Sequence, residues 1–103
     1  FTIASCAEVS VPGPTLEETN QAQQLIDKGT LALRARMLDE AQAAFEVSYD
    51  LVPSPEALDG LGCVAFMRGE LEIARDYFLS AYNQDSNYTD SIFHLALLYD
   101  YVG

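Results

Sequence analysis

The sequence predicts an all-α fold of stacked helix pairs, about two and a half pairs and five helices long. Two observations carry that prediction. First, the chain repeats. Leu25-x-x-Lys28-Gly29-x-x-Ala32 followed by Ala41-x-x-x-Phe45 returns 33 residues later as Leu58-x-x-Leu61-Gly62-x-x-Ala65 followed by Ala74-x-x-x-Phe78. A further shift of 34 opens a third copy, Ile92-x-x-Leu95-Ala96-x-x-Tyr99, of which only the first half is present. Second, the apolar positions inside each copy recur at helical spacing, and glycine and proline fall between the runs. A fixed period of this length marks a unit that stacks on its neighbours to bury a shared core.

Residues 1–14 read as an extended leader, because Val-Ser-Val-Pro-Gly-Pro at 9–14 cannot form a helix. Thr15-x-x-Glu18 is a capping box, in which hydroxyl and carboxylate each accept a free backbone N–H. It predicts a first helix over 16–36, with the turn at Arg36-Met37. The second helix spans Leu38 to Leu51 and packs through Ala41, Ala44, Phe45 and Ser48. Pro53-Ser54-Pro55 ends it and starts the third, with Ser54 as N-cap and Pro55 at the first helical position, where a missing N–H is harmless. That helix runs to about Arg68 and Gly69 breaks it. Leu71 to Gln84 is the fourth. Asn87, one period after Ser54, is expected to cap a fifth helix reaching about Val102.

The small residues account for the period. Gly29, Gly62 and Ala96 lie mid-helix, where glycine costs about 1 kcal/mol relative to alanine. A close helix crossing offsets that, with Ala41 and Ala74 expected to face those sites and Phe45 and Phe78 to fill the space towards the next copy. Gly62→Leu is expected to overpack the crossing, at ~1–3 kcal/mol.

This pattern resembles the tetratricopeptide repeat family over roughly residues 22–103, as repeats at about 22–54 and 55–88 and the first helix of a third at 89–103. Lys28 where leucine is usual, Ala32 and Ala65 where tyrosine is usual, and Ser86 in place of a closing proline are departures; they make the first repeat resemble a polar, terminal one. The resemblance implies a right-handed superhelical solenoid whose first helices line a concave face. Carried over, that face comprises Ile26, Thr30, Leu33 and Arg34, then Asp59, Cys63, Phe66 and Met67, then Phe93, Leu97 and Tyr101. It implies a non-catalytic scaffold for a peptide or partner protein. The lysine and asparagine of the family's carboxylate clamp are absent, Ile26 and Asp59 standing in their places, so a chaperone tail is not the expected ligand.

Charge points the same way. With 5 basic and 16 acidic residues the net charge is −11, so nucleic acid and anionic membrane surfaces are repelled and basic partners are favoured. The fifth helix carries Ile92, Phe93, Leu95, Leu97, Leu98, Tyr99, Tyr101 and Val102, which leaves little polar face for a terminal element. The expectation is cover by a second subunit through 89–103, by the leader, or by further repeats, and a structural, self-associating role is the alternative function. Ile3-Ala4-Ser5-Cys6 resembles a bacterial lipobox, which implies a lipidated Cys6, an outer-membrane or periplasmic location and a role in envelope assembly; without it the cytoplasm is the default. Cys63 reads as a small core or groove residue. His94, the only histidine, has no cysteine or second histidine near it in sequence, and no nucleophile, phosphate loop or metal pattern appears. No cofactor is expected.

Overall fold

A computed structural model describes residues 12–103, and among these every regular element is an α-helix. They are α1 (Leu16–Arg34), α2 (Leu38–Leu51), α3 (Pro55–Met67), α4 (Leu71–Gln84) and α5 (Thr89–Val102). Cys6 and the lipobox-like segment lie outside the described residues. Each helix packs on the next in sequence; α3 also packs on α1 and α5, while α2 and α4 do not meet.

The predicted start signals act as expected at two helices. Thr15 N–H donates to Glu18 Oε1 at 2.9 Å and Glu18 N–H donates to Thr15 Oγ1 at 3.1 Å, closing the capping box. Ala57 N–H donates to Ser54 Oγ at 3.2 Å, with Pro55 in the first turn. Asn87 does not cap α5. The N-cap position is Tyr88, no side chain caps it, and Asn87 N–H instead donates to Asp85 Oδ1 at 3.0 Å. The third copy is offset by 34, not 33, so the residue in Ser54's place is Tyr88.

The turns within the two pairs are alike. Met37 N–H donates to Ala32 C=O at 2.8 Å and Arg36 N–H to Leu33 C=O at 3.0 Å; one period on, Glu70 N–H donates to Ala65 C=O and Gly69 N–H to Phe66 C=O. This is the Schellman pattern, which needs a left-handed residue at its centre. Gly69 takes φ 79°, and Arg36 takes φ 62° in the same place. The strained Arg36 stops α1 at Arg34, two residues short of the predicted end.

Two core clusters repeat one another. Ala41, Phe45, Leu61 and Val64 form the first, with Ile26, Ala32, Leu33 and Leu38 against it. Their counterparts Ala74, Phe78, Leu95 and Leu98 gather at the second junction with Ala65, Phe66 and Leu71. The close approach is made by phenylalanine rather than alanine. A Cβ built on Gly29 would lie 2.8 Å from the Phe45 ring, one on Gly60 2.6 Å from that ring, and one on Gly62 2.6 Å from Phe78 Cδ1. Ala41 and Ala74 are fully buried but do not provide that contact. Phe45 is therefore clasped by Gly29 of its own copy and Gly60 of the next. Ala96 is exposed, since among the described residues no helix stands to it as α2 does to Gly29. Ser48, also fully buried, donates to Ala22 C=O at 2.9 Å and ties α2 to α1.

Candidate functional site

In a curved stack the elements at smaller radius crowd together. The contacts α1–α3 and α3–α5, without a contact between α2 and α4, put the odd-numbered helices on that inner side. Asp59, Cys63, Phe66 and Met67 are spaced by four, three and one along α3, so they share one helix face. That face meets Ile26, Thr30 and Leu33 of α1 on one side and His94 and Leu97 of α5 on the other.

Two cavities result. The larger, about 350 Å³, lies between α1 and α3, with Ile26, Thr30, Leu33 and Phe45 as apolar wall and Glu56, Asp59, Tyr88 and Asp90 as acidic and phenolic wall. The smaller, about 170 Å³, is lined by Phe66, Met67, Phe78 and Leu97. Cys63 and His94 line both, so the two cavities lie side by side along the cleft, with this pair of residues as the waist between them. Thr30 Oγ1 donates to Ile26 C=O at 2.9 Å, which spends its hydroxyl on the helix. Tyr101 extends the cleft through an edge-to-face contact with Phe66, centroids 5.4 Å apart. Three residues assigned to this face by the sequence line neither cavity: Tyr101, which only touches Phe66, and Arg34 and Phe93. Arg34 is exposed, and Phe93 is 61% exposed, with its ring 5.9 Å from His94. The α5 register that fills the waist with His94 turns Phe93 outward.

The waist is polar and chemically specific. His94 Nδ1 stands 2.9 Å from Asp59 Oδ1 and 2.8 Å from Oδ2. Cys63 Sγ is 3.8 Å from Nδ1 and 3.9 Å from Nε2. The imidazole also stacks on Phe78, centroids 5.3 Å apart. The hydrogen bond that His94 donates to Asp59 is the largest influence raising the His94 pKa from 6.5 to about 10; Cys63 adds to it and burial opposes it. Burial is the main influence pushing Asp59 above the usual carboxylate value, with His94 working against it. A proton is thus held between the two at neutral pH. Burial, then the neighbouring carboxylates, hold the Tyr88 phenol far above its ordinary value; it donates to Asp90 Oδ2 at 3.4 Å.

Sequence reading places Asp59 and Cys63 on this face but sets His94 aside for want of a nearby cysteine. The structure brings Cys63 beside it. A usable signal exists: the shift of 34 puts His94 in the place of Gly60, the residue that lies against the preceding phenylalanine. The trio does not have the geometry of a thiol nucleophile and its base. A sulfur nearly equidistant from both ring nitrogens is aligned with neither lone pair, whereas an activated cysteine hydrogen-bonds the nitrogen opposite the one its carboxylate orients. No family model and no curated protein matches this chain.

Proposed function

We propose that this chain is a non-catalytic interaction scaffold of the tetratricopeptide-repeat kind, right-handed in its superhelix, which holds a basic peptide or protein segment along the α1–α3–α5 cleft. The observation that carries the reading is the pair of adjoining cavities along α3. Three helices drawn from three successive copies contribute apolar surface to them, with an acidic wall around Glu56 and Asp90. Extended or helical segments bind such clefts by seating alternate side chains in apolar pockets, and acidic walls favour a lysine or arginine between them. Seating of a lipid anchor on Cys6, and with it a place in a bacterial envelope, belongs to the same proposal and is tested by the mass of the N-terminal peptide.

The test is a peptide library screened against the wild type, Phe66→Asp and Leu97→Asp, with Val47→Asp as control. Val47 is exposed on α2, away from the cleft. Binding reduced roughly tenfold or more by the cleft variants, about 1.4 kcal/mol, and unchanged by Val47→Asp supports the reading. Equal binding by all four proteins defeats it.

A second reading rests on α5. Ile92, Phe93, Leu97, Tyr99, Tyr101 and Val102 are 45–70% exposed, apolar surface on a helix packed from one side. Self-association through it is read by sedimentation velocity over a range of protein concentrations; a monomer throughout ends that reading.

A further inference from the structure

We propose that Asp59, Cys63 and His94 are the protein ligands of a divalent transition-metal site of the zinc class, whose fourth position opens into the cleft. One carboxylate, one thiol and one imidazole bring donor atoms within 4.8 Å of one another. A tetrahedral zinc ion with bonds of ~2.0 Å to nitrogen and oxygen and ~2.3 Å to sulfur separates its ligands by about 3.3 Å (N to O) and about 3.5 Å (N to S). The observed separations are 2.8–2.9 Å from imidazole to carboxylate and 3.8 Å from Nδ1 to Sγ. Those two separations need adjustments of about half an ångström or less, and the sulfur, within 4.8 Å of the other donors, must turn towards the Nδ1 side of the ring.

The donor set selects the ion. Nitrogen and sulfur exclude the oxygen-seeking magnesium and calcium and suit zinc, cobalt and cadmium. Thiolate and carboxylate together carry two negative charges, which a divalent ion neutralises without a further counterion. The site lies where the two cavities meet, which leaves a coordination position for water.

The preceding junction is built without these residue types. At the preceding junction the places of Asp59, Cys63 and His94 are held by Ile26, Thr30 and Gly60. That junction buries the corresponding core with no carboxylate, thiol or imidazole in those three places. An aspartate 5% exposed is costly to keep in an apolar setting, and only this junction has one. Two of the ligands sit four residues apart on α3 and the third on α5, so a bound metal would clamp the last helix to the body of the stack.

The experiment is titration of the metal-free full chain with Co(II), and with Zn(II) against a chromophoric chelator, at neutral pH. Expected are one equivalent bound, d–d bands of tetrahedral intensity, and a thiolate-to-cobalt charge-transfer band in the near ultraviolet. Cys63→Ser, nearly isosteric, removes the charge-transfer band and weakens binding on the order of 10–100-fold or more; Cys6→Ser leaves both intact. Asp59→Asn and His94→Gln weaken binding comparably, with circular dichroism confirming that they fold. Absence of saturable one-to-one binding, binding unchanged by Cys63→Ser, or loss of the sulfur band in Cys6→Ser overturns the proposal. None of these readouts depends on a peptide ligand, so the cleft and the metal site stand or fall separately.

Discussion

His94 shows how one side chain can be set by three neighbours at once. Asp59 fixes its Nδ1, Phe78 lies under its ring, and Cys63 faces its edge. Its folded pKa of about 10 lies above the 6.5 of an unperturbed imidazole. A group raised in this way contributes stability that is fully present below pH 6.5 and is lost as pH rises through about 10. Asp59, also raised, shifts stability in the same direction. Chelator-treated protein is therefore expected to lose stability to urea between pH 6.5 and 10, and Asp59→Asn to flatten that slope. Glycine acts at the same scale. Because a Cβ at Gly62 would press into Phe78, Gly62→Ala is expected to destabilise by on the order of 1 kcal/mol, the overpacking of ~1–3 kcal/mol outweighing the ~1 kcal/mol of helix propensity gained. A urea midpoint at or above that of the wild type would contradict this.

Individual elements show where local signals suffice. The beginnings of α1 and α3 were legible because a cap needs only residues three apart in sequence: Thr15 with Glu18, Ser54 with Ala57. The beginning of α5 was not, because the copy offset changes from 33 to 34 and moves the cap position from Asn87 to Tyr88. Ser54→Ala is accordingly expected to cost about 1 kcal/mol, while Asn87→Ala, which removes no cap, changes thermal stability little. Equal losses at the two positions would restore Asn87 as a cap. The end of α1 is not legible in the sequence for a related reason. Arg36 does not carry the mark of a left-handed residue that Gly69 does, yet the same hydrogen bonds require φ 62° of it.

Across the whole molecule, stability follows the order of contacts. α3 packs against all four other helices, whereas α5 packs only against α3 and α4. Stacked units of this sort open from their ends, since each helix is held only by near neighbours. Hydrogen exchange is expected to be fastest in α5, and slowest in α3 and the part of α4 that packs on it. With Zn(II) added, protection of α5 should rise if the Asp59–Cys63–His94 site is loaded. Uniform protection from α1 to α5 in the metal-free protein would show instead a single cooperative block.

The sequence alone determined the helices, their pairing and the repeating core, because period, caps and small residues act over short separations along the chain. The resemblance its repeat carries also implied one shared face for Ile26, Thr30, Leu33, Arg34, Asp59, Cys63, Phe66, Met67, Phe93, Leu97 and Tyr101. Only the tertiary structure decided what that face is. The clasp of Phe45 by Gly29 and Gly60 and the meeting of His94 with Asp59 and Cys63 join residues about 15 to 35 positions apart, and the outward turn of Arg34 and Phe93 follows from the same packing. They depend on the angle and register at which one helix crosses another, and a difference of one residue in a repeat, 33 against 34, is enough to exchange the side chain that reaches the centre.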